Sequence, residues 1–274
     1  MKYPSICLSK KTKEIRLSGK PRTVRTWING AGGKLRARIL LPAVRTGEKC
    51  HMAIIMHGIM TTKDIYPQPV LAKMLQERGI ASICFDFNGH GASYGRFQDM
   101  TVLNEKEDAL KVIEYAQSLP FVDRIALCGH SQGGVVAALC AGELTNKISA
   151  LLLLAPAAVC RDDALKGNIM GAVFDPSDPP DILKVMMHSL GGCYIRTAQK
   201  LDIYGEVSGY RGPMCVIHGM QDRTVPVEYG RRFKESCPQC ILHLLPEEGH
   251  ILNRDKASVC GYAVSFLCDA LRQE

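Results

Sequence analysis

Two serines in the sequence lie in the pattern Gly-x-Ser-x-Gly, which can hold a serine nucleophile on a sharp turn. They are Ser93, within residues 91–95, and Ser131, within residues 129–133. Such a turn needs a strand directly before the serine and a helix directly after it. Apolar strand-like residues precede Ser131 and small residues typical of a closely packed helix follow it, whereas the residues after Ser93 are polar. Ser131 is therefore the candidate nucleophile, and Ser93 is interpreted as a loop residue.

A serine hydroxyl becomes an effective nucleophile only when a histidine removes its proton and a carboxylate orients that histidine. Where a serine turn of this kind occurs, the carboxylate and the histidine follow in chain order, at the ends of later strands. Asp222 follows the apolar run 214–218, and His250 follows the next apolar run, 241–245. The sequence therefore predicts a catalytic triad of Ser131, Asp222 and His250.

Backbone N–H groups near the nucleophile are expected to bind the oxyanion of a tetrahedral intermediate. One is the N–H of Gln132, the residue that follows the nucleophile. The other is the N–H of Ile59, in the loop after the buried run 52–57. We therefore predict an oxyanion hole formed by Ile59 and Gln132.

The elements that must position these residues alternate between short apolar strands and amphipathic helices, which predicts an α/β fold. We expect a mostly parallel twisted sheet with helices on both faces and an antiparallel hairpin at the N-terminal edge, joined by the turn at 29–33. All 274 residues are assigned to one domain. Residues 157–211 are too many for an ordinary connection. They are predicted to be an inserted cap subdomain over the active site.

Composition narrows the class of protein. With 46% hydrophobic and 22% charged residues, the chain is not disordered, and no apolar run is long enough to span a bilayer.

The N-terminus lacks the apolar region of a secretory signal, and the 12 cysteines fall largely within apolar segments, which favours a reducing, cytoplasmic location. The Cys-x-x-Cys spacing at 237–240 is interpreted as structural. No motif for a metal, nucleotide or other cofactor is present, so none is predicted.

The net charge of +7 comes from one segment. Residues 1–50 contain 13 of the 34 basic residues and two acidic ones, so the rest of the chain has a net charge of −4. These basic residues alternate with strand-forming residues, which favours the solvated face of a hairpin over a surface for nucleic acid or anionic membranes. The expected partner is a small-molecule ester, without nucleic acid or membrane. A homodimer is compatible with the sequence.

The chain resembles the α/β-hydrolases, and more narrowly the feruloyl (cinnamoyl) esterases of gut and rumen bacteria, over nearly its whole length. Gly-His-Ser-Gln-Gly at 129–133 alone occurs in many lipases and esterases. Its combination with the other matching stretches, including Asp-Phe-Asn-Gly-His-Gly at 86–91, occurs in a much narrower group. Further matching stretches are residues 57–58, 100–104, 154–158, 191–194, 218–219 and 249–250.

This resemblance implies an α/β-hydrolase fold and a serine esterase that cleaves hydroxycinnamate esters without a cofactor. It also implies that an acidic residue and a tyrosine of the insertion bind the phenolic end of the substrate. The matching residues are Asp163 and Tyr194, whereas Met170 stands where the family has a glutamine. Asp163 could instead cap a helical turn that starts at residue 164.

Sequence alone leaves the acyl group open. A monoacylglycerol lipase or a general short-chain carboxylesterase would use the same catalytic parts, and an acyltransferase would differ only in the acceptor. A ligand receptor without enzymatic activity is the most distant alternative, against which the complete triad argues.

Overall fold

The computed structural model describes residue 15 and residues 17–272. The strands are β1 (Arg22–Asn29), β2 (Lys34–Leu41), β3 (Cys50–Met56), β4 (Ala81–Phe85), β5 (Val122–His130), β6 (Ala150–Leu154), β7 (Asn168–Ile169), β8 (Ala172–Val173), β9 (Ile182–Val185), β10 (His188–Gly191), β11 (Met214–Gly219) and β12 (Ile241–Leu245). The α-helices are α1 (Gln68–Glu77), α2 (Val102–Gln117), α3 (Gln132–Glu143), α4 (Val159–Lys166), α5 (Gly192–Ala198), α6 (Ile203–Val207), α7 (Val227–Ser236) and α8 (Lys256–Arg272). A short 3-10 turn, Phe97–Asp99, precedes α2.

In this described part of the chain, eight strands form one sheet in the order β1-β2-β4-β3-β5-β6-β11-β12. Strands β1 and β2 pair antiparallel, as do β2 and β4, whereas the pairings from β4 to β12 are parallel. The predicted α/β fold, with a mostly parallel sheet and an antiparallel N-terminal hairpin, is confirmed. Because β3, β5, β6, β11 and β12 run in the same direction, the loops after them meet at one edge of the sheet.

The central strands of the sheet are buried on both faces because they carry apolar residues on both sides. In β3, Met52, Ile54 and Met56 pack into one apolar cluster, which includes residues of α2, α3, α6 and α7. Ala53 and Ile55 point to the other face and pack with residues of α1 and α8. This two-residue alternation on a doubly covered sheet explains why its strands read as nearly continuous apolar runs.

Residues 157–211 connect β6 to β11 and contain α4, two short hairpins (β7–β8 and β9–β10), α5 and α6. Close contacts join this insertion to the rest of the chain, and two of them lie at β10 and α6. Gly191, at the end of β10, lies so close to the Gln98 carbonyl that a side chain at this position would clash with it. The Tyr204 hydroxyl of α6 donates to the Tyr229 carbonyl of α7 at 2.9 Å.

Several features outside the active site bear on the sequence predictions. No helix in residues 17–272 is long and apolar enough to cross a membrane. Among the described residues, no group of three His, Cys, Asp or Glu side chains could hold a metal ion, and the 11 cysteines there are free. Five of the 13 basic residues in the N-terminal segment (Lys2, Lys10, Lys11, Lys13 and Arg16) lie outside the described residues.

Candidate active site

Ser131 lies between the end of β5 and the start of α3, in a backbone conformation that few non-glycine residues adopt. Its φ is +57° and its ψ is −123°, a strained combination that persists only where the surrounding structure enforces it. Backbone hydrogen bonds hold it there: the Ser131 N–H donates to the Leu154 carbonyl at 2.9 Å, and the Ser131 carbonyl accepts from the N–H groups of Gly134 at 2.9 Å and Ala157 at 3.0 Å. The side chain therefore projects from the edge of the sheet.

The glycines around Ser131 are required because other backbone segments approach them closely. A Cβ atom on Gly129 would clash with the Gly133 carbonyl, and one on Gly133 would clash with the His57 and Met56 carbonyls. A Cβ atom on Gly58 would lie 2.9 Å from the Ser131 Cβ. Only residues without a side chain allow β5, α3 and the loop after β3 to meet at the nucleophile.

The structure brings together the three residues predicted to form the triad. The His250 Nε2 atom lies 2.9 Å from the Ser131 Oγ atom, and the His250 Nδ1 atom lies 2.8 Å from the Asp222 Oδ2 atom. Asp222 follows β11 and His250 follows β12, so neighbouring parallel strands deliver both residues to the serine. In the neutral imidazole, Nδ1 donates to the carboxylate, which leaves Nε2 free to accept the serine proton.

Four donors fix the Asp222 carboxylate. Its Oδ1 atom accepts from the backbone N–H groups of Thr224 and Val225 at 2.9 and 2.8 Å, and its Oδ2 atom faces His250 at 2.8 Å and His218 Nε2 at 3.3 Å. Burial by itself raises the pKa of this carboxyl, but the hydrogen bonds from His218 and His250 outweigh burial and hold the pKa well below its usual value. Asp222 is therefore ionised at any pH near neutrality and can stabilise a protonated His250.

His218 is a further residue of the site, and its role is not predicted from the sequence. It is fully buried in β11, and its single Nε2–H is shared between the Val225 carbonyl at 2.9 Å and the Asp222 Oδ2 atom at 3.3 Å. The local sequence does contain a signal, because His218 is the next-to-last residue of the strand whose following loop carries the acid. A buried histidine there can hold both the carboxylate and the turn that follows it.

Two further histidines hold the loops around the nucleophile. His57 donates from Nδ1 to the Gly58 carbonyl at 2.7 Å and accepts at Nε2 from the Phe87 N–H at 3.1 Å. His130 donates from Nε2 to the His250 carbonyl at 2.9 Å. Burial lowers the pKa of His57 to about 3 and that of His130 to about 4. Both rings are therefore neutral at neutral pH and act as fixed hydrogen-bonding groups.

The predicted oxyanion-hole residues lie beside Ser131. Ile59 and Gln132 line the same narrow cavity as the serine, and its volume is about 40 Å³. Gln132 is the first residue of α3, so its backbone N–H has no acceptor within the helix and also lies at the positive end of the helix dipole. This position suits a donor for a developing negative charge.

The three residues predicted to bind substrate reach this cavity from the insertion. Asp163 lies on α4, Met170 lies in the turn between β7 and β8, and Tyr194 lies on α5. Asp163 does not cap a helix that starts at residue 164, because α4 already begins at Val159 with Ala158 as its N-cap. Partial burial raises the pKa of the Asp163 carboxyl. Beyond this cavity, Asp163 and Met170 also border a wider groove of about 630 Å³.

A family model described as serine aminopeptidase S33 matches residues 47–197, more than half of the chain. The chain is 32% identical to Est1E from Butyrivibrio proteoclasticus, solved with ferulic acid bound. The two structures superpose with a TM-score of 0.87 over 90% of this chain and 100% of Est1E. The chain belongs to the α/β-hydrolase family.

Curated relatives of this α/β-hydrolase are more distant in sequence. It is 24% identical to the human serine hydrolase BPHL, over 76% of each chain. It is 26% identical to human protein ABHD12B over 70% of its own length, and it spans about half (51%) of that relative. Family membership supports a serine hydrolase with esterase-type activity.

The packing around Ser131 predicts that Gly129→Ala destabilises the hydrolase. The added methyl group must displace the Gly133 carbonyl, so the free energy of unfolding should fall by about 1–3 kcal/mol, as in an overpacked core. Gly261→Ala in α8 is the matched control, because nothing lies within 4 Å of its Cβ position, and it should raise stability by about 0.5–1 kcal/mol. Urea denaturation measures both variants. A Gly129→Ala protein as stable as the wild type would contradict this account of the turn.

Proposed function

We propose that this α/β-hydrolase is a serine esterase that cleaves hydroxycinnamate esters, such as feruloyl, caffeoyl or chlorogenic-type esters. The observation that carries the proposal is the position of Asp163 and Tyr194 on the cavity that contains the hydrogen-bonded Ser131. Polar side chains on a largely apolar cavity wall beside a serine nucleophile suit an acyl group that is flat and apolar but carries ring hydroxyl groups. The similarity to Est1E, solved with ferulic acid bound, supports the same acyl group.

In the first half of the reaction, the Ser131 Oγ atom attacks the ester carbonyl carbon while His250 Nε2 takes the serine proton. The carbonyl oxygen becomes an oxyanion, which accepts hydrogen bonds from the Ile59 and Gln132 N–H groups. The Asp222 carboxylate stabilises the protonated His250. The tetrahedral intermediate then collapses, the bond to the alcohol oxygen breaks, and His250 gives its proton to the leaving alcohol. An acyl group remains bonded to Ser131.

In the second half, His250 removes a proton from water, and the resulting nucleophile attacks the acyl carbonyl carbon. The same N–H groups bind the second oxyanion. His250 then returns a proton to Ser131 Oγ as the acyl–serine bond breaks, which releases the acid and restores the enzyme.

The cavity of about 40 Å³ is smaller than a hydroxycinnamoyl group, so binding requires side chains at its mouth to move. Met170 is the residue best suited to move, because its side chain is unbranched and it is 44% exposed. Met170 also offers no strong hydrogen-bond donor. Polar recognition of the ring is therefore assigned to Asp163 and Tyr194.

A substrate panel tests the acyl preference of the purified protein. We expect kcat/KM to be higher for methyl ferulate and methyl caffeate than for methyl butyrate or a long-chain monoacylglycerol, because Asp163 and Tyr194 on the cavity wall can bind ring hydroxyls. An amino-acid anilide belongs in the same panel, since the matched family model is named for an aminopeptidase. Faster cleavage of butyrate, monoacylglycerol or anilide would contradict the proposal, and ester exchange with an added alcohol would indicate a transferase.

The role of Asp163 predicts a selective effect of Asp163→Ala. Loss of a charged acceptor should lower kcat/KM for caffeate and ferulate esters by about 1–3 kcal/mol and leave the unsubstituted cinnamate ester little changed. Asp178→Ala is a matched control, because Asp178 lies on the same insertion but does not border the cavity. Equal loss on all three esters, or a lower melting temperature alone, would show that Asp163 does not bind the phenol.

A further inference from the structure

A buried carboxyl contacts the side chain of the oxyanion-hole residue Gln132. Glu105, in the first turn of α2, is 2% exposed, and its Oε2 atom accepts a hydrogen bond from the Gln132 Nε2 atom at 2.7 Å. The reaction sequence above makes no use of this residue. Since burying a carboxyl is costly, its presence needs a physical reason.

The hydrogen bonds continue from Gln132 into the substrate cavity. The Tyr194 hydroxyl donates to the Gln132 Oε1 atom at 2.8 Å. The side-chain amide of Gln132 therefore joins Glu105 on one side to Tyr194 on the other. All three residues are at most 4% exposed, so water does not compete for these bonds.

Two acceptors determine which way the Gln132 amide points. Its Nε2 atom faces the Glu105 Oε2 atom and, at 3.4 Å, the Met100 Sδ atom. The reversed amide would turn its oxygen toward both acceptors. With the nitrogen held on this side, the amide oxygen faces Tyr194 and accepts the hydroxyl hydrogen.

Both ionisable groups keep this arrangement over the pH range of an assay. Burial raises the pKa of Glu105 to about 8, despite the opposing effect of the hydrogen bond from Gln132. In the neutral form, the proton can sit on Oε1, which has no hydrogen-bond partner among the described residues and lies 3.8 Å from the His90 Nδ1 atom, so Oε2 accepts in either form. Burial also raises the pKa of Tyr194 far above its usual value, so the hydroxyl keeps its hydrogen.

We infer that Glu105 is a specificity-determining positioning residue. By holding the Gln132 amide, it turns the Tyr194 hydroxyl hydrogen away from the cavity and leaves the Tyr194 oxygen as an acceptor for the substrate. This inference rests on the proposed function, because it concerns the ring end of the acyl group.

The consequence is a cavity whose wall offers two acceptors to the substrate. The Asp163 carboxylate lines the same cavity, and no described residue donates a hydrogen bond to it. A ring hydroxyl can donate to an acceptor, whereas a methoxy oxygen can only accept. The favoured acyl group therefore carries two neighbouring hydroxyls, as in a 3,4-dihydroxycinnamoyl ester, with one donated to Asp163 and the other to Tyr194.

The test is the ratio of kcat/KM for methyl caffeate to that for methyl cinnamate, esters that differ only in the two ring hydroxyls. Glu105→Leu removes the acceptor for Gln132 and should lower this ratio roughly tenfold. Glu105→Gln still offers an amide oxygen to Gln132 and should keep the ratio within about twofold of the wild type. Glu107→Leu, at an exposed position on the same helix, is the control and should leave the ratio unchanged.

A double-mutant cycle with Tyr194→Phe shows whether Glu105 acts through the tyrosine. Tyr194→Phe should lower the ratio by itself, and adding Glu105→Leu should lower it no further. Titration with a serine-directed fluorophosphonate corrects each rate for the active fraction. If Glu105→Leu does not fold, Gln132→Leu removes the same amide while keeping the backbone N–H, and the same fall is expected.

The inference is overturned if the disrupting variant leaves the ratio unchanged, if it slows both esters equally, or if its effect adds to that of Tyr194→Phe. A wild-type enzyme that hydrolyses neither ester but still reacts with the fluorophosphonate would overturn the proposed function and this inference with it. A wild-type enzyme that hydrolyses both, at a ratio insensitive to Glu105, overturns only the role of Glu105.

Discussion

The strained backbone turn at Ser131 determines how the surrounding strands and helix must pack. A serine held at φ +57° is stable only because β5, α3 and the loop after β3 enclose it, and they can approach only because Gly58, Gly129 and Gly133 lack side chains. The parallel strands then bring Asp222 and His250 to the same edge. Strain at one residue is thus supported by the buried central strands of the sheet, a common way in which a fold positions a reactive group.

The electrostatics of the site follow from the same packing. The Asp222 carboxylate is kept ionised by four donors, while the neighbouring His57 and His130 are kept neutral by burial. The ionised Asp222 carboxylate therefore faces His250, which is the imidazole that must accept a proton. The buried Glu105 differs, because burial raises its pKa to about 8 and its role is to hold an amide.

The parallel sheet and the residues that meet at Ser131 could be predicted from the sequence. Asp222 and His250 each follow a short apolar run, and parallel strands end at one edge of a sheet. Glu105 could not be found in this way. An acidic residue in the first turn of an amphipathic helix normally faces solvent, and only the packing of α2 against α3 buries it. Strands β7 to β10 have two to four residues each. They are too short for the alternation of apolar and polar residues that identifies a strand in a sequence. His218 resembled any buried strand residue.

The proposed mechanism requires Ser131 to carry the acyl group as a covalent intermediate during turnover. The most direct measurement is acid quenching of the enzyme during hydrolysis of methyl caffeate, followed by peptide mass spectrometry. We expect a caffeoyl adduct on the peptide that contains Ser131. The Ser131→Ala variant should show neither the adduct nor turnover. An adduct on another residue, or undiminished turnover by Ser131→Ala, would contradict it.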